Sequence, residues 1–260
     1  MKNEINNPSP ITNPKKLIII IRHGERKDRA GETPKYHRMN TELTEKGKLQ
    51  SFNVSKTFLE EIKKYGITNI SPDHIQIRTS PYLRTIQTAV YFIKGLNEIF
   101  SNNKNNNNKV LNKLYIDFSL RKTIKKNQKR EDEDSSLYSH IDAYHIFDEE
   151  IKNIELIKEN ANFPTEVESR EQTEKRTIDY VNTVLKKEVE DNNNNNNNNE
   201  SKIIVIIGHR GPTKHIFKKL GYVCTNKKEV DYCSQFYFDV SNGIENAKFL
   251  GKQKLPQKIP

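Results

Sequence analysis

Two stretches of the chain are apolar at every position instead of at alternate ones. Residues 17–21 read Leu-Ile-Ile-Ile-Ile, and residues 203–207 read Ile-Ile-Val-Ile-Ile. A strand covered on both faces has this signature, and a β-branched run of this length is too short for a buried helix. Segments 75–79, 114–118 and 234–240 predict three further strands. Between them, apolar residues step by three or four. Leu49, Phe52, Leu59 and Ile62 predict one helix, with Thr44 as its N-cap. Leu83, Ile86, Val90, Ile93, Leu96 and Phe100 predict another, with Ser80 as N-cap and Pro81 at the first helical position, where no N–H is needed. Phe147, Ile151, Ile154 and Ile157 suggest a short amphipathic helix. Ile178, Val181, Leu185 and Val189 give the next, and Ile216, Phe217 and Leu220 the last. Strand and helix alternate, so the expected fold is α/β, with three layers and a mostly parallel central sheet flanked by helices.

Composition at first argues against a folded core, because only 33% of the 260 residues are hydrophobic. The dilution is local. Residues 192–199 are all asparagine, and 102–108 are nearly so. Such tracts bury too little surface to offset chain entropy and read as loops. Residues 122–136 run from basic to acidic, ending in Glu131, Asp132, Glu133 and Asp134. The expected organisation is a flexible N-terminus over 1–14, one folded domain over 15–250, and a flexible C-terminus over 251–260. Within the domain, Asn-rich loops fall at about 101–109 and 191–200, and an insert at about 119–170 caps the fold. The two cysteines, Cys224 and Cys233, fit reduced thiols better than a disulfide framework or a zinc module. With no apolar run near the length of a membrane span and no h-region after Met1, the expected location is the cytoplasm.

Chemistry concentrates where strands end. In open α/β sheets, ligands bind beyond the carboxyl ends of the strands. The first strand runs into Arg22-His23-Gly24-Glu25-Arg26, the second into Ser80-Pro81-Tyr82-Leu83-Arg84, and the last long apolar run into Gly208-His209-Arg210-Gly211. If these strands are parallel, two histidines and several arginines converge. Guanidinium forks suit a phosphate dianion, and helix N-termini add N–H donors. A neutral imidazole can attack phosphorus, and a second histidine can donate to the phosphoryl oxygens. Gly24 and Gly211 would let backbone approach the anion. Arginines can supply the positive charge that a metal supplies elsewhere, so neither metal nor cofactor is expected.

These residues resemble the histidine phosphatase superfamily, the phosphoglycerate-mutase-like group. The resemblance extends through Leu43-Thr44-x-x-Gly47-x-x-Gln50, Ser80-Pro81-x-x-Arg84-x-x-Gln87-Thr88-Ala89 and Gly208-His209-x-Gly211, in the family's order. Arg26 is similar to the branch of phosphatases that carry ubiquitin-associated and SH3 domains, and the chain is expected to be the catalytic domain alone. The resemblance implies that His23 is the nucleophile, and that Arg22, Arg26, Arg84 and His209 bind phosphate with help from Gly24. It also implies an acid that protonates the leaving oxygen. The matching stretch reads Asp117-Phe118-Ser119-Leu120-Arg121-Lys122, which puts Lys122 at the acid's position. Asp117 is the acid candidate, with Glu131 or Asp132 as loop-borne alternatives.

The expected activity is metal-independent phosphomonoester hydrolysis through phosphohistidine, with aryl or tyrosine phosphates as a substrate guess. Partners are a phosphorylated small molecule or a phosphopeptide, not nucleic acid or membrane, and the oligomeric state is left open. Tyr138, Tyr144, His145 and Phe147 are candidate linings from the cap. Arg210, His37, His74, His140 and His215 read as solvated or incidental. Lys122 keeps a second reading open, a binding module that holds phosphate but turns over poorly. Mutase activity fits less well, since the residues that flank a mutase site are missing. The net charge of +10 and the Gly-His-Arg-Gly loop also invite comparison with a KH RNA-binding module. That loop joins two helices, whereas this one follows a strand, and the comparison leaves the other blocks unexplained.

Overall fold

A computed structural model describes residues 15–34, 40–102, 109–123, 148–160, 168–190 and 201–255. Seven strands form one sheet. In chain order they are β1 (Lys16–Arg22), β2 (Ile75–Thr79), β3 (Lys113–Asp117), β4 (Glu155–Glu159), β5 (Lys202–Gly208), β6 (Gln235–Asp239) and β7 (Lys248–Gln253). The spatial order is β4-β3-β2-β5-β1-β6-β7. The first five in that order are parallel, and β6 and β7 run antiparallel at one edge. The helices are α1 (Lys27–Ala30), α2 (Glu45–Lys64), α3 (Leu83–Ser101), α4 (Asp148–Ile151), α5 (Arg170–Tyr180), α6 (Lys186–Glu190) and α7 (Arg210–Lys219). One π-helical stretch, Val181–Leu185, joins α5 to α6.

The two continuous apolar runs become β1 and β5, side by side at the centre. Their alternate side chains enter two different cores, as the twofold strand period requires. Leu17, Ile19, Ile21, Ile203, Val205 and Ile207 join Val54, Phe58 and Ile62 of α2 and Ile86, Val90 and Ile93 of α3. Ile18, Ile20, Ile204 and Ile206 pack on Tyr180, Leu185, Ile216 and Phe217. The mostly parallel, three-layered α/β arrangement is as expected.

The differences lie at helix starts and sheet edges. Thr44 caps α2 by accepting from the Gly47 N–H at 2.8 Å, but Leu49 is 44% exposed and points away from the core. Helix α3 starts two residues later than Ser80 predicts: Tyr82 is its N-cap, and Asn40 Oδ1 accepts from the Leu83 N–H at 2.7 Å. Ser80 is engaged elsewhere, as shown below. The spacing around Ile151 and Ile154 yields only the single turn of α4, and Phe147 lies outside the described residues. Ile157 sits in β4 instead, which pairs with β3 from Lys113↔Glu155 to Asp117↔Glu159. Pairing with an open sheet edge has outweighed the helical spacing. Part of the stretch expected to cap the fold is therefore sheet. The same happens at the other edge. Gly251, expected to begin a flexible tail, lies inside β7, paired with Tyr237 of β6.

Parallel register fixes where the strands end. Arg22 of β1 pairs with Gly208 of β5, and Thr79 of β2 pairs with Ile207 of β5. The residues that follow these strands therefore emerge together at one edge of the sheet. Glycines let α2 approach this edge. A Cβ on Gly47 would stand 2.1 Å from the Glu25 carbonyl oxygen, and one on Gly24 would stand 2.6 Å from the Gly47 carbonyl oxygen. Gly47→Ala should force these backbones apart, at a cost of about 1–3 kcal/mol. The check is a chemical-denaturation midpoint, expected to fall; an unchanged midpoint would mean that the loop yields freely.

Candidate active site

Every backbone N–H from Arg22 to Glu25 already has a partner. Arg22 donates to the Ser234 carbonyl at 3.2 Å and His23 to the Gly208 carbonyl at 3.1 Å. Gly24 donates to Thr88 Oγ1 at 3.0 Å, and Glu25 to Gln50 Oε1 at 2.9 Å. Gln87 Oε1 accepts from the Leu43 N–H at 2.8 Å, and Leu43 forms a bridge with Arg26. Gln50, Gln87 and Thr88 thus hold the segment that carries His23. Gly24 does not line the cavity as expected. Its N–H is taken by Thr88, and its missing side chain makes room for α2.

His23 is 3% exposed, and its Nδ1 lies 2.8 Å from the Gly24 carbonyl oxygen. A carbonyl only accepts, so Nδ1 carries the proton and Nε2 keeps its lone pair. Burial, then Arg84 and Arg22, push the imidazole well below its ordinary value of 6.5. His209 behaves alike: burial first, then Arg84, His23 and Lys122, push it well below 6.5. Its Nε2 lies 2.9 Å from Ser80 Oγ, and its Nδ1 lies 3.4 Å from Arg84 Nη2. Arginine only donates, so Nε2 of the neutral ring bears the hydrogen given to Ser80. The two imidazole centroids stand 5.4 Å apart, edge to face.

The arginines are braced in different ways. Arg22 donates from Nη1 to the Val230 carbonyl at 2.9 Å, lies 3.8 Å from Asp231, and sits 4.1 Å over the Tyr232 ring. Its Nε has no hydrogen-bond partner among the described residues. Arg84, 1% exposed, stacks 4.6 Å over the Tyr82 ring. Arg26 makes a two-pronged pair with Asp28. Burial and neighbouring cations push Arg22 down to about 10 and Arg84 down to about 9, so both stay charged at neutral pH. Charge crowded in this way favours an anion strongly, because a dianion relieves repulsion as well as forming charged hydrogen bonds.

These groups line one cavity of about 530 Å³, within the size range of small-molecule sites. Its lining contains the five expected residues Arg22, His23, Arg26, Arg84 and His209, and also Arg29, Lys122, Thr123, Arg210, Gly211, Pro212 and Tyr232. Arg210 is exposed as expected, yet its position at the start of α7 turns it to the cavity. Sequence reasoning missed Arg29, Tyr82 and Tyr232. The signal for Arg29 was its place one turn after Arg26. Tyr232 depends on a left-handed turn at Cys233 (φ 54°), which no sequence pattern announces.

The structure does not bring Asp117 into this cavity. It is fully buried at the end of β3, accepting from the Ser119 N–H at 2.8 Å and from Asn160 Nδ2 at 3.2 Å, with Arg78 Nη1 3.7 Å away. There it caps a turn and belongs to an Arg78–Glu159–Glu188 charge network. Among the described residues no carboxylate lines the cavity. Glu131, Asp132, Tyr138, Tyr144 and His145 lie outside the described residues. Among the described residues, no group of three or more His, Cys, Asp or Glu is placed to hold a metal. No helix there is long and apolar enough to cross a membrane.

The family model described as histidine phosphatase superfamily (branch 2) matches residues 28–204, a span that includes Arg84 but not His23 or His209. The chain belongs to this superfamily and is an enzyme of its phosphatase class. Among solved structures it is similar to an Escherichia coli protein provisionally assigned as an alpha-ribazole-5'-P phosphatase, at 14% identity and a TM-score of 0.51, covering 95% of this chain and 100% of that one. It is also similar to mycobacterial hydrolase 1, at 14% identity and a TM-score of 0.50, covering 90% and 96%. A phosphoserine phosphatase from Entamoeba histolytica, solved with 3-phosphoglyceric acid, matches at 14% identity and a TM-score of 0.48, covering 92% and 97%. The first two likenesses bear on the fold. No curated protein sequence matches the chain.

The electrostatics predict a titration. In the free protein, His23 and His209 should both take up protons only below 6.5. Below that pH the unfolded chain binds protons that the folded chain refuses, so stability falls as the solution is acidified. Binding inorganic phosphate brings in negative charge without a bond to Nε2 and should raise both values. Histidine NMR titrations with and without phosphate check this; a free-state His23 titrating at or above 6.5 would contradict it.

Proposed function

We propose that the chain is a phosphomonoesterase that works through a phosphohistidine on His23 and needs no metal. The supporting observation is the lone pair on His23 Nε2, freed by the Nδ1 contact with Gly24, in a cavity rich in arginine. Nε2 attacks phosphorus in line, the N–P bond forms, and the bond to the leaving oxygen breaks. Arg22, Arg26 and Arg84 hold the phosphoryl oxygens. Arg84 turning towards the phosphoryl group would release His209 Nδ1. Water then attacks phosphorus, the N–P bond breaks, and phosphate leaves with the proton balance restored by solvent.

Among the described residues no carboxylate lines the cavity. Leaving groups that need little protonation depend least on such an acid, which favours aryl phosphates, phosphotyrosine among them. The finer affinity with phosphatases of the ubiquitin-associated and SH3 branch rests on Arg26 in the RHGER block. A poorly turning-over phosphate binder is the second reading, favoured by Lys122 in the cavity wall.

Hydrolysis of p-nitrophenyl phosphate should fall by about 10³-fold or more in His23→Ala. It should fall by about 10²–10³-fold in Arg84→Ala. Rapid quench should trap an acid-labile phosphoryl group on His23. Phosphate binding without turnover would favour the second reading, and transfer within 3-phosphoglycerate would point to a mutase.

A further inference from the structure

One short segment, residues 230–234, encloses Arg22. Arg22 Nη1 donates to the Val230 carbonyl at 2.9 Å, and Asp231 stands 3.8 Å from the same nitrogen. The Tyr232 ring centroid lies 4.1 Å from the guanidinium carbon. The Cys233 N–H donates to the Arg22 carbonyl at 3.1 Å, and the Arg22 N–H to the Ser234 carbonyl at 3.2 Å. The segment turns at Cys233, a residue with a Cβ held at φ 54°. That left-handed conformation is unfavourable and persists only where the surroundings impose it. Its effect is to send the Cys233 side chain into the core and leave Tyr232 in the cavity lining.

Two polar groups of this stack are unused. Arg22 Nε is buried without a hydrogen-bond partner among the described residues, and a buried donor calls for an acceptor. The Tyr232 hydroxyl has no partner there either; the residue's one hydrogen bond runs from its backbone N–H to Asp231 Oδ1 at 2.8 Å. The Tyr232 ring centroid is 5.7 Å from that of His23. Its phenol oxygen is close enough to Arg22 and to Arg84 to interact electrostatically with both. Tyr82 is its counterpart at the second histidine, with its centroid 4.6 Å from the Arg84 guanidinium carbon and 5.0 Å from the His209 centroid. Tyr82 is buried and outside the lining, so of the two tyrosines Tyr232 is the one that faces the cavity.

We infer that Tyr232 is a phosphoryl-binding residue: its ring fixes the plane of Arg22, and its hydroxyl donates to an oxygen of the bound phosphoryl group. The consequence for turnover rests on the phosphomonoesterase reading above; the binding of phosphate itself does not. A phenol suits this place. It adds a donor without adding to the repulsion among Arg22, Arg26 and Arg84. The stack also holds the guanidinium fork in one orientation before the anion arrives, so less side-chain freedom is lost on binding.

The test is calorimetric titration of the full chain with inorganic phosphate, on the wild type, Tyr232→Phe and Tyr232→Ala, with Arg84→Ala marking the heat that belongs to this cavity. Tyr232→Phe keeps the ring over Arg22 and removes only the hydroxyl. It should weaken phosphate binding by about tenfold, the strength of one hydrogen bond to a charged group. Tyr232→Ala should weaken it by about threefold more, because Arg22 then loses the ring as well. The kcat/KM for p-nitrophenyl phosphate should fall by the same factors. If Tyr232→Phe binds phosphate as the wild type does and only Tyr232→Ala is impaired, the ring is a shelf for Arg22 and the hydroxyl contact is overturned. Phosphate binding absent from the wild type, or unchanged in both variants, would overturn the ring's part too. A His23→Ala variant that still hydrolyses p-nitrophenyl phosphate, while phosphate affinity keeps its dependence on the hydroxyl, would sink the phosphomonoesterase reading and leave the Tyr232 contact standing.

Discussion

Positive charge brought together at the carboxyl ends of three parallel strands is the condition around which the rest of this protein is arranged. Arg22, Arg84 and Arg26 repel one another at close quarters and out of water. The fold meets that cost by several routes. Tyrosine faces lie against Arg22 and Arg84, Asp28 clasps Arg26, and Asp231 stands near Arg22. The two histidines give up their protons and stop adding to the repulsion. The neutrality that the proposed nucleophilic role of His23 requires is thus also what allows the arginines to be stored beside it.

The site is precise because its backbone is held from three sides. The segment after β1 is pinned by β5 through Gly208, by α2 through Gln50, and by α3 through Thr88. The four sequence blocks are therefore one mechanical unit. Glycine at 24 and 47 sets how closely α2 can lie, and the glutamines and the threonine fix the height of the loop. Side chains outside the cavity lining decide where His23 Nε2 points.

Much of this was legible in the sequence. Uninterrupted apolar runs marked the two central strands, and His23, Arg22, Arg26, Arg84 and His209 stood where parallel strands end. What was not legible depended on partners far away in the chain. Residues 155–159 and 248–253 become strands because open sheet edges await them, a fact that local spacing does not carry. Asp117 looked available for proton transfer because its neighbours Arg78 and Asn160 are distant in sequence or on another strand. Tyr232 reaches Arg22 through a backbone turn at Cys233 that no residue type demands. Ser80 looked like a helix cap, but His209 claims its hydroxyl.

The central position of β5 has a consequence for biosynthesis. β1 and β2 do not touch each other in the sheet; each lies against β5, which is made only after residue 201. On the ribosome, a nascent chain already carrying the RHGER and Ser-Pro blocks would hold two isoleucine-rich strands with their inner edges unpaired. Such edges invite aggregation until the missing strand slides between them. The arginines and His23 would meanwhile stay apart in water, and the crowding that tunes them would arise only once β5 lies between β1 and β2.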